Sequence, residues 1–416
     1  MEIRTIAERF IRAIERFTKT DVTYLIRSGF WSNAGTIFVS LASFLLYIVF
    51  NRYVSKDVYG TYQYLLSIGA IVGAFTLTGM NSAVTRAVAL GQEGALRVAI
   101  RRQLQWAIVP LLGSWALGAY YLIAHGNTTL GFGLMLIGIF VPITNAFNTY
   151  GAFLQGKKDF KRGFLYSLWW NVPYYLSVGI VAIFFKAALI LLAANLISQA
   201  VGLFVSYRAT VAAYKPNDLS DASTLTYGSH LSVMGLLGSI ASQIDAILAF
   251  HFLGATQLAI YSFSTAIPDR VGGLFKFIPA AAFPKFVGKS PAEIRQGLGR
   301  RLLLGTITST VLALAYVAIA YPFFYVFFPA YLVAVPYSQF YALTLTASMG
   351  GVLTNALVAA GNVRTLYIYN TVNPVVQIGL LIVGILMYGL AGLIVARILA
   401  SLFVLVFGIV LYWRAK

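Results

Sequence analysis

The chain has 416 residues, of which 59% are hydrophobic and only 10% charged, and its formal net charge is +18. A soluble domain carries about 25% charged residues, so one apolar interior cannot absorb this composition and lipid must cover the rest. With no cysteine in the chain, thiol catalysis, cysteine-ligated metal and disulfides are excluded.

The first 20 residues place Ile3, Ile6, Phe10, Ile14 and Phe17 at helical spacing, with Arg4, Arg9, Arg12, Arg16 and Lys19 between them. This pattern predicts an amphipathic helix suited to an anionic membrane surface or to a neighbouring cytoplasmic loop. It lacks the apolar core and small-residue cleavage site of a signal peptide.

About 20 apolar residues cross a bilayer as a helix. Such runs fall at 30–50, 61–82, 104–124, 130–152, 165–185, 187–207, 228–250, 257–282, 302–324, 336–359, 366–387 and 390–412. They are continuous, not the short alternating strands of a barrel. The expectation is an all-α, polytopic membrane protein of about 12 transmembrane helices.

The basic residues sort by loop. The leader, the loops after even-numbered spans and the C-terminus hold 24 of the 30 Lys and Arg, whereas Arg52, Lys56 and Lys186 lie on the other side. This positive-inside asymmetry predicts a multi-pass protein of the inner (cytoplasmic) membrane with both termini cytoplasmic. It also accounts for most of the net charge, so nucleic acid is not expected as a partner.

A shift of 199 residues lays Tyr62 on Tyr261, Arg86 on Lys285, and Arg101-Arg102 on Arg300-Arg301. Six spans per half predict a parallel repeat, two six-helix lobes around a central cavity. The divisions are a cytoplasmic leader at 1–29, a first lobe at 30–207, a linker at 208–227 and a second lobe at 228–416.

Gly151 to Lys158 nearly matches a phosphate loop, but Lys158 stands where Ser or Thr is needed and no strand precedes it. The run reads as a helix end, and no ATP site is visible. Gly69 and Gly73 are spaced for close helix packing. His125, His230 and His251 are too scattered for a metal site. No cofactor is expected, and no nucleophile or general-base constellation marks an enzyme.

Five ionic residues fall inside spans: Asp245, Asp269, Arg270, Lys276 and Arg397. Each costs about 2.5–3.5 kcal/mol on insertion scales and so faces a cavity or a partner. Arg270, Lys276 and Arg397 are candidates for an anionic headgroup; the competing reading is local ion pairing, with Lys276 snorkelling to the interface. Asp245 and Asp269 are coupling-ion candidates; the competing reading pairs Asp245 with Arg270. Amides such as Asn81, Asn145, Asn195, Gln199 and Gln377 serve either helix packing or sugar hydroxyls, and the sequence does not separate these roles.

Three stretches carry a family resemblance: Asn51 to Tyr62, Ile244 through Gly254 to Tyr261-Ser262, and Pro329-Ala330-Tyr331 through Ala360-Gly361-Asn362 to Gly392. In these the chain resembles Wzx-type polysaccharide flippases of the multidrug/oligosaccharidyl-lipid/polysaccharide exporter superfamily. It departs from the family pattern at Phe328, where a glycine often precedes Pro-x-Tyr. The resemblance implies alternating access and a polyprenyl-pyrophosphate-linked oligosaccharide as cargo. The implied partners are that lipid, membrane lipids, a proton or sodium ion, and other polysaccharide-assembly proteins. A cation-coupled multidrug exporter and a membrane-embedded polymerase or transferase are the alternatives.

Overall fold

A computed structural model of the protein describes residues 22–275, 291–350 and 363–414. The amphipathic leader and Lys276 lie outside these residues. Among the described residues there are helices and no strands.

In chain order the α-helices are α1 (Val22–Tyr53), α2 (Lys56–Ala74), α3 (Met80–Ala89), α4 (Ala95–Trp106), α5 (Ile108–His125), α6 (Thr128–Gly156), α7 (Phe160–Phe184), α8 (Ala188–Tyr214), α9 (Ala222–Ala241), α10 (Ile244–Leu253), α11 (Ala255–Phe275), α12 (Pro291–Phe327), α13 (Val335–Tyr341) and α14 (Val363–Arg414). Two 3-10 segments, Pro329–Ala334 and Ala342–Ala347, flank α13. Over the described residues the predicted spans appear in order, but not all as single helices; 276–282 of the eighth and 351–359 of the tenth lie outside the described residues.

The second span is broken between α2 and α3, where Leu77 takes φ 59°. Backbone groups freed by such a break must find partners when water is absent. Gly79 N–H donates to Ser232 Oγ at 3.0 Å, and Gln103 Nε2 donates to the Leu77 carbonyl at 3.2 Å. Asn145 Nδ2 donates to Thr76 Oγ1 at 2.7 Å. The seventh span is likewise interrupted at Ser242-Gln243, between α9 and α10.

The last two spans are joined within α14 by a reversal at Tyr388-Gly389, where Gly389 has φ 56°. In one straight helix Gly384 and Gly392 would be about 12 Å apart. Here a Cβ on Gly392 would sit 1.9 Å from the Gly384 carbonyl oxygen. The chain folds back on itself there, and glycine permits the contact.

Among the described residues eight helices are long and apolar enough to cross a membrane, the stretch Tyr367–Trp413 counting as one.

Most packing lies within α1–α8 and within α9–α14, but α2 and α9 lie more against the opposite group than against their own. The two groups join along α2–α11, α2–α10 and α3–α9. The α3–α4, α6–α7 and α8–α9 loops meet at one end of the bundle. There Gly94 N–H donates to Leu219 O at 3.0 Å, Arg97 pairs with Asp218 at 2.6 Å, and Lys157 pairs with Glu93. This basic end includes the near-match to a phosphate loop, which is the end of α6 and the turn after it. Gly73 of the Gly69/Gly73 pair packs against Asn145 and Val141 of α6.

Candidate functional site: a charged hollow between the lobes

Helix α11 begins as an apolar, aromatic helix and turns ionic after Pro268, at Asp269-Arg270. Helix α10 starts immediately after the Ser242-Gln243 break, and Asp245 lies in its first turn, where free N–H groups favour a carboxylate. The Ala246 N–H donates to Asp245 Oδ1 at 2.9 Å, and the Tyr261 hydroxyl donates to Oδ2 at 2.6 Å.

Arg397 reaches the same carboxylate from the second half of α14, with Nη2 at 2.8 Å from Oδ2. Both side chains are largely buried. The partner of Asp245 is therefore Arg397 and not Arg270, the pairing weighed from the sequence. Arg397 keeps one donor in reserve, because its Nε is buried without a hydrogen-bond partner.

Arg270 is held differently. Its guanidinium lies over the Tyr47 ring at 4.6 Å. Nη2 donates to Ser43 Oγ at 3.0 Å, and Nη1 donates to the Ala266 carbonyl of its own helix at 2.9 Å. Among the described residues no carboxylate forms an ion pair with it. Asp269 accepts a hydrogen bond from the Tyr341 hydroxyl at 2.9 Å.

These four ionic residues line one hollow of about 580 Å³. Its other wall comes from Ser40, Ser43 and Tyr47 of α1 and Gln63 of α2. The structure thus brings together Asp245, Asp269, Arg270 and Arg397, which come from three helices.

At the end opposite the basic loops, aromatic rings from both lobes close the bundle. Phe263 stacks on Tyr331 at 3.6 Å and meets Tyr59 edge-on at 5.2 Å. Asn51 spans the lobes, accepting from Ala330 N–H at 3.1 Å and donating to the Phe327 carbonyl at 3.4 Å. A Cβ on Gly60 would lie 1.8 Å from the Ala255 carbonyl oxygen, so only glycine lets α2 and α11 approach this closely.

Sequence reasoning did not single out Tyr47, Ser43 or Tyr341 as contacts of the charged groups. Tyr261 stood out as the repeat equivalent of Tyr62 and within a stretch that carries the family resemblance, not as a partner of Asp245. Tyrosines at spaced intervals in apolar helices look like interfacial anchors, and no local pattern marks them as partners of a distant carboxylate.

Two helical lobes enclosing intramembrane charge, on a multi-pass chain, define a membrane transporter fold. The chain belongs to the polysaccharide biosynthesis protein family, whose profile it matches over residues 25–289. Nothing among curated proteins matches it.

Solved structures share the fold at low identity. An inward-facing multidrug resistance MATE family transporter of the MOP superfamily superposes with a TM-score of 0.69 at 12% identity, covering 91% of this chain and 96% of that one. The lipid II flippase MurJ, in an inward closed conformation, gives 0.68 at 13% identity, covering 91% and 86%. An outward-facing MATE family transporter gives 0.57 at 14% identity, covering 90% and 93%. The chain therefore shares the fold of these transporters.

Proposed function

We propose that the protein is a flippase that carries a polyprenyl-pyrophosphate-linked oligosaccharide from the cytoplasmic to the outer leaflet by alternating access. The observation that carries this reading is Arg270. A guanidinium inside the membrane, facing a hollow between two lobes and ion-paired with no carboxylate among the described residues, is a site for an anion. Its planar fork matches a phosphate oxygen pair. An unaccompanied pyrophosphate would cost tens of kcal/mol to bring through hydrocarbon. Fixed cations in a wet hollow remove most of that cost, while the polyprenyl tail stays in lipid.

Arg397 and Lys276 are the further headgroup candidates. When an anion draws Arg397 away, Asp245 is left to take up a proton or sodium ion, which would couple transport to a gradient. Asp269, beside Tyr341, is the second coupling candidate. The multidrug-exporter alternative calls for an acidic hollow. Here the described lining holds two acids and two bases, so it is not acidic; Arg397 is paired with Asp245, and Arg270, ion-paired with no carboxylate among the described residues, is the group open to an anion, which favours the anionic cargo.

The basic end is assigned to the cytoplasm by the positive-inside rule, with both termini there and the chain in the inner membrane. The lobes are taken as 30–207 and 228–416, linked through 208–227. The aromatic closure at the opposite end supports an inward-facing state, as does the higher TM-score with the inward-facing transporter than with the outward-facing one.

The test is transport in vesicles containing the purified protein and a fluorescent polyprenyl-pyrophosphate oligosaccharide. The expected result is relocation of the lipid without covalent change, slowed about tenfold or more by Arg270→Gln, in line with a charge-assisted hydrogen bond worth about 1.5–3 kcal/mol. An unchanged rate in that variant ends the headgroup assignment. Chain extension of the sugar would make the protein an enzyme.

A further inference from the structure

The charged hollow has a neutral neighbour. A second space, of about 320 Å³, lies within the first lobe between α2, α6 and α8, and no ionisable residue lines it. Its polar wall is made of Thr78, Asn145, Asn195 and Gln199, with Ser239 from α9 at its edge.

The two spaces adjoin along the same helices. On α2, Gln63 faces the charged hollow and Leu66 the neutral one; on the other side Ser242 faces the first and Ser239 the second. Three residues of helix rise about 4.5 Å. Along α2 the two linings are thus about 4.5 Å apart, which sets the neutral hollow beside the charged one.

The amides of this wall are anchored through part of their hydrogen-bonding capacity. Asn195 Nδ2 donates to the Tyr62 hydroxyl at 2.7 Å, Gln199 Nε2 donates to Asn195 Oδ1, and Asn145 Nδ2 donates to Thr76 Oγ1 at 2.7 Å. Gln199 Oε1 and Asn145 Oδ1 have no hydrogen-bond donor from the protein among the described residues. Asn195 and Gln199 each also have a second N–H, whereas the second N–H of Asn145 is directed at the Gly73 carbonyl at 3.4 Å. The floor beside them is Gly69 and Gly73, which leaves room.

We propose that this first-lobe hollow is the saccharide subsite and that it takes an uncharged sugar, held by hydrogen bonds between sugar hydroxyls and the amides of Asn145, Asn195 and Gln199. The proposal rests on the lipid-linked saccharide reading above and adds the charge class of the sugar. Hydroxyls donate and accept, and so do carboxamides. A sugar carboxylate would lose its water here with no cation opposite, which is strongly unfavourable.

Three probes test it against the purified full chain: a short polyprenyl pyrophosphate without sugar, the same carrier bearing an N-acetylhexosamine, and the same carrier bearing a hexuronic acid. Dissociation constants are measured for each. The neutral-sugar carrier is expected to bind about tenfold tighter than the bare one, equivalent to about 1.4 kcal/mol, and the acidic-sugar carrier no tighter than the bare one. Gln199→Ala brings the neutral-sugar carrier down towards the bare carrier's level. Gln199→Arg supplies the missing cation and turns the preference to the acidic sugar, a gain that misfolding does not imitate. Equal affinity for neutral and acidic sugars in the natural protein overturns the proposal. So does a neutral-sugar gain that survives combined Asn145→Ala and Gln199→Ala. If none of the three carriers binds, the lipid-linked reading itself fails, and the subsite with it.

Discussion

Asp245 and Arg397 form a 2.8 Å ion pair between the first turn of α10 and the second half of α14, on the wall of the hollow that separates the lobes. The Tyr261 hydroxyl donates to the same carboxylate. The pair ties the interrupted seventh span to the twelfth, so the seventh span is positioned by charge as well as by packing.

Removing one member of such a pair strands the other. Arg397→Gln is expected to destabilise the protein by about 3–5 kcal/mol, because Asp245 stays buried without its cation. Asp245→Asn combined with Arg397→Gln should recover most of that loss. Thermal unfolding in detergent measures both. If the double variant is as unstable as the single one, the pair is not what holds the two helices together.

Closure at the end opposite the basic loops depends on Gly60. Any side chain there must push α2 away from the Ala255 carbonyl, at about 1–3 kcal/mol for overpacking. The chain has no cysteine of its own. Asn51→Cys with Ala330→Cys therefore gives a clean reporter of closure, and adding Gly60→Ala should lower the yield of that crosslink. An unaltered yield would mean that the lobes meet there independently of Gly60.

Gln103 is almost fully buried and bridges two helices, donating to the Leu77 carbonyl at 3.2 Å and accepting from Thr149 Oγ1 at 3.0 Å. It supports Leu77 in a left-handed conformation that is unfavourable for a bulky residue. Gln103→Leu keeps the volume and removes both bonds. A loss of about 1–2 kcal/mol is expected from intramembrane hydrogen bonds of this kind, read by thermal unfolding. A neutral result would show that the break between α2 and α3 is held by packing alone.

Asp221 caps α9 from the polar connection before it. The Ser223 hydroxyl and N–H hydrogen-bond its carboxylate and hold the carboxyl below the usual range. A depressed folded-state pKa stabilises the cap above the ordinary aspartate value of about 3.9, and that contribution is lost as pH falls through the lower folded value. The protection of the Ser223 amide relative to its intrinsic exchange rate should therefore hold at neutral pH and fall only in acid. Asp221→Ala should lower it at neutral pH, and equal protection in the variant would remove the cap from the account.

Much of the site was legible residue by residue. Asp245, Asp269, Arg270 and Arg397 stand out because an ionic side chain in an apolar run has few places to go. Their relations were not legible. Asp245 lies closer in sequence to Arg270 than to Arg397, yet the reversal at Tyr388-Gly389 brings Arg397 to it. The amides show the same limit. Asn145, Asn195 and Gln199 border a hollow, whereas Asn81 accepts from Thr149 and Gln377 donates to the Ala241 carbonyl, both in helix packing. Nothing in the composition around them tells these two groups apart.

From the sequence alone came the number of spans, their helical nature, and the gathering of basic residues in alternate loops. These follow from the energy of placing about 20 consecutive residues in hydrocarbon, a local sum over neighbours in the chain. The tertiary structure alone decided which spans break, which face a hollow instead of lipid, and which charge meets which. Those outcomes depend on how each helix is rotated and on what a distant helix offers its unsatisfied groups, and neither is encoded in hydropathy.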